Sequence, residues 1–180
     1  PNHGVRLNGQ YVLSPEHETL AEVLRREGYE TAAFISAFVL ESRFGLDQGF
    51  DHYDDNIGTA QSSAIDEELN QRPAGDVTRA ATSWLERRAP GRPFFAWVHY
   101  YDPHSPYTPP PAFAARYRDR LYDGEIAYMD SEIAKLLTAL EARGYRDRTL
   151  VIAVGDKAKE ATEAGADHVV LYTGLDFEEE

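Results

Sequence analysis

Cysteine is absent from the 180 residues of this chain, and methionine occurs once. Without cysteine no disulfide framework can form, and cysteine usage gives no indication of a redox compartment. Long hydrophobic runs are also absent, since none approaches the roughly 18 residues that a membrane-spanning helix requires. No signal peptide is recognisable either. The sequence therefore predicts no membrane span and leaves the compartment unknown.

Basic residues are scarce in comparison with acidic ones. The chain has 18 Lys and Arg against 31 Asp and Glu, which gives a formal net charge of −13. An acidic surface repels the phosphate backbone of nucleic acids, so we expect no nucleic-acid partner. The hydrophobic content of 42%, with eight Phe, eleven Tyr and two Trp, is sufficient for the core of one domain.

Hydrophobic periodicity predicts an α/β fold, with a mostly parallel sheet flanked by helices. Ser14 and Pro15 indicate the start of a helix that ends at Gly28, and residues 31–36 follow as a strand. Residues 56–75 are polar and are predicted to form a flexible connection. The next helix is predicted to begin at an N-cap, Asp76, and to lead into a strand over residues 93–99.

The longest predicted helix covers residues 123–143, where apolar residues recur at spacings of three and four. Its acidic residues Glu125, Asp130 and Glu132 are expected to be solvated or to cap the helix rather than to be catalytic. A strand over residues 150–154, a helix over 157–164 and a strand over 168–172 complete the predicted order.

The most informative segment is PFFAWVHYYDPHSPYTPP, residues 93–110. Its apolar first half is typical of a strand covered on both faces, and ligands of such sheets bind beyond the carboxyl ends of the strands. Asp102 and His104 would lie at that end, on a loop that several prolines stiffen. A hydrogen-bonded surface histidine is the alternative interpretation of His104. His99 is expected to pack in the core, and Asp102 to brace the loop by an Asx-type bond.

Four acidic residues between positions 47 and 55 suggest a second candidate site. Asp47, Asp51, Asp54 and Asp55 could offer oxygen ligands to calcium, but they lack the ordered spacing of an EF-hand loop. A solvated loop is the favoured interpretation.

Several segments together resemble the central part of a sulfatase of the alkaline phosphatase superfamily, over about residues 3–156. They are HGVRLNGQYVLSPEHETLAEVLRREGYETAAFISAFVLESRFGLDQGFDHYDD, RPFFAWVHYYDPHSPYTPP, YDGEIAYMDSEIAKLLTALEARGY and RTLVIAVGD. The resemblance implies a sulfatase-like α/β fold and hydrolysis of sulfuric esters at a divalent metal, usually calcium. It also implies a formylglycine nucleophile, made from Cys or Ser in a C/S-x-P-x-R motif.

The resemblance also implies roles for individual residues. His104 matches the position whose imidazole contacts the sulfate group, and an imidazole there can stabilise anionic oxygens or act as a general acid. Arg6 and Asn8 belong to the HG-V-R-x-N-G segment and are candidates for substrate binding, although a structural role is favoured. Asp156 falls on the position of a metal-binding Asp.

The chain departs from the family pattern at both ends of this resemblance. It begins at Pro1, after the place of the nucleophile motif, and no Ser lies in S-x-P-x-R. Lys157 replaces the His or Asn that follows the metal-binding Asp, and an ammonium group repels a cation. Asp156 and Lys157 could instead flank the start of a helix. We therefore expect a fragment that binds no calcium and shows no turnover.

The last part of the chain has other resemblances. Residues 155–170 weakly resemble a stretch of bacterial ribosomal protein L1, and GADHVVLYTGLD is similar to pieces of phosphate-binding TIM-barrel enzymes. The chain is therefore divided into a sulfatase-like part, residues 1–156, and a helix-strand tail, residues 157–180. A non-catalytic domain that binds a small anion and an engineered or hybrid sequence are alternative interpretations. The substrate and the oligomeric state stay open.

Overall fold

A computed structural model of the chain describes residues 11–57, 72–155 and 168–174. Five strands of these residues form one sheet, in the order β2-β1-β3-β5-β4, and every neighbouring pair is parallel. The strands are β1 (Glu30–Phe34), β2 (His52–Asp54), β3 (Phe94–Tyr100), β4 (Thr149–Gly155) and β5 (His168–Gly174).

Helices flank this sheet, which confirms the predicted α/β class. Within the described ranges, no helix combines the length and the apolar character that crossing a bilayer requires. The α-helices are α1 (Leu20–Arg26), α2 (Ala74–Arg87), α3 (Pro111–Arg116) and α4 (Leu121–Ala142), and short 3-10 helices cover Phe38–Leu40, Ser42–Phe44 and Arg146–Arg148.

The core lies between the sheet and the helices α2 and α4. Side chains alternate between the two faces of a strand, so every second residue of β3 points towards these helices. Trp84 of α2 packs edge-on against Phe34 and Phe94, with ring centroids 6.0 and 5.7 Å apart. The buried cluster consists of Ala32, Phe34, Ala74, Val77, Ala81, Trp84, Leu85, Phe94, Ala96, Val98, Tyr100, Leu136 and Leu140.

Helix α1 begins at Leu20 and not at Ser14. Thr19 is its N-cap and forms a capping box with Glu22, in which the Glu22 amide donates to Thr19 Oγ1 at 3.1 Å and the Thr19 amide donates to Glu22 Oε2 at 2.7 Å. Two backbone N–H groups that a helix start leaves without partners are thereby satisfied. Gly28 follows the end of the helix with a φ of 88°, as its predicted role in stopping the helix requires.

Helix α2 begins at Ala74, two residues before its predicted N-cap. Pro73 occupies the N-cap position, so Asp76 lies in the first turn, where a negative charge interacts favourably with the helix dipole. Ala74 and Gly75, predicted as part of the flexible connection, are therefore helical. Residues 58–71 of that connection lie outside the described residues.

The register of the sheet places three strand ends side by side. Tyr100 of β3 is paired with Gly174 of β5, and Gly174 is paired with Gly155 of β4. Because all three strands are parallel, β3 and β4 end at the same edge of one sheet with β5 between them. Ligands of open α/β sheets bind at this edge.

Candidate functional site

The loop that follows β3 carries the candidate residue His104. The backbone of the loop turns sharply and has cis peptide bonds between Asp102 and Pro103 and between Ser105 and Pro106. His104 is half-buried, and its ring stacks on the ring of Tyr101 with a centroid distance of 4.1 Å. The hydroxyl of Tyr101 lies 2.8 Å from Nε2 of His104, within hydrogen-bonding distance. The imidazole therefore has a defined position at the carboxyl edge of the sheet.

Glu125, in the first turns of α4, holds the backbone of this loop. Its carboxylate is 2% exposed and accepts hydrogen bonds from the amide of His104 at 3.2 Å and from the amide of Thr108 at 2.6 Å. Burial raises the pKa of Glu125, while the two N–H donors and His104 oppose that shift. The prediction that Glu125 is solvated or caps the helix is wrong, because its partners belong to the loop.

Gly124 allows α4 to approach this loop closely. A Cβ atom at this position would lie 3.1 Å from Cγ of Pro109 and 3.3 Å from Cβ of Tyr117. Because Gly124 has no side chain, Pro109 can pack against the helix beside Glu125, whose carboxylate binds the amide of Thr108.

Asp102 joins the same loop to the start of α2. Its Oδ2 accepts a hydrogen bond from the amide of Ala74 at 3.0 Å, so it satisfies one of the N–H groups at the start of that helix. Burial, and then the charge of Glu125, raise the pKa of Asp102 to about 6. Asp102 thus braces the loop through a partner 28 positions away in the chain, whereas the predicted bond was a local one of the Asx type.

Tyr128 of α4 connects this helix directly to the start of α2. Its hydroxyl accepts a hydrogen bond from the amide of Gly75 at 2.8 Å. Glu132, one turn further along α4, is 4% exposed and pairs with Lys135. The prediction that Glu132 is solvated is therefore wrong, whereas Asp130 is exposed, as predicted. The start of α2, the loop and the first half of α4 are therefore held together by polar contacts, with Asp102, Glu125 and Tyr128 as acceptors.

His99 lies in the core, as expected. Its side chain is 0% exposed, and neither ring nitrogen has a hydrogen-bond partner among the described residues. Its ring packs between those of Trp97 and Tyr101, at centroid distances of 6.3 and 6.2 Å. Burial lowers the pKa of His99 to about 4, so the imidazole is neutral near pH 7.

Three of the four acidic residues between positions 47 and 55 have separate partners. Asp51 pairs with Arg25 at 2.8 Å, Asp54 pairs with Arg72 at 3.0 Å, and Asp55 accepts from the amide of Ser42 at 2.7 Å. Because each of these carboxylates is bound to a different group, they do not converge on a common point. The favoured interpretation was a solvated loop, but Asp54 belongs to strand β2 and is partly buried beside Arg72.

The described residues by themselves do not fit a divalent metal. No group of three or more His, Cys, Asp or Glu side chains within these ranges could hold one. At the carboxyl edge, oxygens of Asp102 and Glu125 already accept backbone hydrogen bonds. The predicted metal ligand Asp156 lies outside the described residues, as do Arg6 and Asn8.

The sequence contains a signal for the burial of Glu125. Glu125, Met129 and Leu136 follow the helical repeat of the inward face of α4, where buried and partly buried residues alternate. A charged residue on such a face requires a polar partner, because carboxylates are rarely buried without one. Tyr101 and Tyr128 carried no comparable signal, since tyrosines occur both in cores and on surfaces.

Comparison with known proteins gives a match over nearly the whole chain. A family model described as Sulfatase matches residues 2–175. An arylsulfatase of Clostridium perfringens (strain 13 / Type A) is 23% identical over 151 residues. The aligned segment covers 62% of this chain and 31% of that protein, so the chain spans less than a third of its relative.

Proposed function

Because the chain belongs to the sulfatase family, we propose that it forms the His104 side of a binding site for sulfuric esters, within a hydrolase domain. The observation that carries the proposal is the position of His104, which is half-buried at the carboxyl edge of the parallel sheet and is hydrogen-bonded through both its ring and its amide. Ligands of such sheets bind at that edge. An imidazole held there can donate a hydrogen bond to a sulfate oxygen or a proton to the leaving group.

Arg6, Asn8 and Asp156 complete the proposal. Members of the family act on sulfate esters and generally use a divalent metal. We propose Arg6 and Asn8 as contacts of the substrate or of its loop, and Asp156 as the residue that matches a metal ligand. Asp156 directly follows β4, which ends at the same edge as β3. We assign no step to a metal, because the described residues provide no further ligands for one.

We propose that this polypeptide by itself does not turn over sulfate esters. It contains no cysteine, and none of its serines lies in S-x-P-x-R, so the residue that becomes the family's nucleophile is not among these 180. One imidazole and one carboxylate cannot replace an activated nucleophile and a Lewis acid. Binding without turnover is the expected behaviour.

The test is a titration of the chain with 4-nitrophenyl sulfate. We expect saturable changes in the backbone amide NMR signals of the loop that follows β3, which can also be followed in variants of His104, and no release of 4-nitrophenol. His104→Ala should abolish the saturable binding. His52→Ala is the matched control, because His52 is exposed on β2 and lies outside the loop.

Two results would contradict the proposal. Binding that survives in His104→Ala would show that the anion is held elsewhere. Release of 4-nitrophenol that disappears in His104→Ala would show that the chain is catalytic as it stands.

A non-catalytic anion-binding domain is the second candidate, favoured by the absence of a metal-binding group among the described residues. Binding that is unchanged by a calcium chelator supports this candidate. Binding that requires calcium supports the hydrolase domain, and Asp156→Asn should then weaken it.

A further inference from the structure

Glu125 makes contacts that suit a role in the site itself. We infer that Glu125 is a positioning residue, which fixes the imidazole of His104 for contact with a sulfate oxygen by holding the loop backbone on both sides of the turn. The inference rests on the proposed function of His104, and it adds a residue to which the family resemblance assigns no role.

The contacts of Glu125 are bidentate. One carboxylate oxygen accepts from the amide of His104 and the other from the amide of Thr108, four residues further along the loop. Two bonds from one rigid group fix both the position and the orientation of the segment between the two donors. Hydrogen bonds to an ionised carboxylate are also stronger than those between neutral groups.

Burial makes this arrangement difficult to replace. Glu125 is 2% exposed, so water does not take over its hydrogen bonds when the side chain is changed. An amide hydrogen without a partner in such a place is destabilising, because its desolvation is not compensated. A loop released from Glu125 would therefore move to a position where the two amides reach solvent.

The negative charge of Glu125 affects a bound sulfate directly, and this effect can be distinguished from the positioning of His104 by Glu125. A buried negative charge near His104 repels a bound sulfate, so removal of that charge alone should strengthen binding. If Glu125 positions His104, its removal should instead weaken binding. Loss of the charge raises the affinity for sulfate and loss of positioning lowers it, so the sign of the change in affinity identifies the effect that dominates.

The experiment compares Glu125→Gln with the wild-type chain and with Asp130→Asn. Gln preserves the volume of the side chain but offers only one oxygen, so one of the two amides loses its acceptor. Asp130 is exposed on the same helix, and its substitution removes the same charge without touching the loop. Inorganic sulfate is the probe, followed through the ring signals of His104.

We expect Glu125→Gln to weaken the binding of sulfate about tenfold and to accelerate hydrogen exchange at the amide of His104 or Thr108 about tenfold. Asp130→Asn should change neither quantity, and exchange in the middle of α4 should stay as it is in the wild type. Unchanged or tighter binding of sulfate by Glu125→Gln overturns the inference, and so does unchanged exchange at both amides.

A second variant keeps the test valid if Glu125→Gln does not fold. Glu125→Asp keeps the charge and both oxygens but withdraws them by one methylene group, so weaker binding is expected here too. If wild-type chain fails to bind sulfate, the proposed function of His104 fails. The exchange of the two amides, measured without sulfate, still decides whether Glu125 holds the loop.

Discussion

The hydroxyl of Tyr101 lies 2.8 Å from Nε2 of His104, while the two rings stack with an interplanar angle of 21°. One tyrosine thus covers a face of the imidazole and also occupies one of its two nitrogens. The second nitrogen, Nδ1, is then the one through which His104 can reach an anion without breaking this contact.

Removal of the Tyr101 hydroxyl should change the electronic environment of the His104 ring nitrogens without disturbing the fold. In Tyr101→Phe the stacked ring is preserved, but the hydrogen bond to Nε2 is lost, so the ¹⁵N chemical shifts of the His104 ring should change. The affinity for inorganic sulfate should fall roughly three- to tenfold, which corresponds to the net contribution of one hydrogen bond. Tyr107→Phe, in the same loop, is the control. Identical ¹⁵N shifts of the His104 ring in Tyr101→Phe and wild type would contradict a hydrogen bond between Tyr101 and His104.

His99 should make the protein less stable in mild acid. Its pKa is about 4 in the folded chain, below the ordinary value of 6.5, so between these pH values the unfolded chain binds a proton that the folded chain does not. The contribution of His99 to the free energy of unfolding should therefore decrease as the pH falls from 6.5 to 4, by at most about 3 kcal/mol.

The test for His99 is His99→Leu, which removes two buried nitrogens without partners at a similar volume. The variant should be at least as stable as the wild type at pH 7, and its stability advantage should grow as the pH falls to 4. Urea unfolding at a series of pH values measures this, with His52→Leu as the exposed control. A constant difference between His99→Leu and wild type would show that His99 does not titrate in this way.

Protonation of Asp102 should change the free energy of unfolding in the opposite direction to that of His99, over a similar range of pH. Its pKa is about 6 in the folded chain, above the ordinary value of 3.8, so the folded chain takes up a proton first as the pH falls. The free energy of unfolding should therefore increase between pH 6 and pH 3.8 because of Asp102, by at most about 3 kcal/mol. In the wild type, the contributions of Asp102 and His99 largely cancel between pH 6 and pH 4.

Asp102→Asn separates the two contributions. Asn keeps an oxygen that can accept from the amide of Ala74 but carries no charge, so the variant should be more stable than the wild type at pH 7. That advantage should disappear towards pH 4, where Asp102 of the wild type is protonated. Urea unfolding measures it, and Asp130→Asn should show no such dependence. An advantage that stays constant from pH 7 to pH 4 would rule out a raised pKa.

The elements with a strong apolar repeat could be predicted from the sequence. Strand β3 and helix α4 lie within two residues of their predicted bounds, and the N-cap of α2 lies three residues before the predicted one, because a local pattern determines these elements. The start of α1 was predicted too early. Ser14 with Pro15 and Thr19 with Glu22 are both local start signals, and only the second forms a capping box in the folded chain.

The contacts of the loop could not be predicted in the same way. The helical repeat of α4 places Glu125 on the inward face, but its donors lie 17 and 21 positions away, and the partner of Asp102 is 28 positions away. No local pattern reports such distances along the chain. The place of β5 between β3 and β4 is equally non-local, since β5 follows β4 in sequence but lies inside it in the sheet.

The pairing of Gly155 with Gly174 has a further consequence for the edge at which β3, β4 and β5 end. Neither glycine has a Cβ atom, and Tyr100 is the next residue in the same row of paired residues. Glycine in a strand allows a ligand or another backbone to approach the peptide groups more closely than a side chain permits. We expect alanine at either position to place a Cβ atom at this edge and so to keep such a group farther from the backbone.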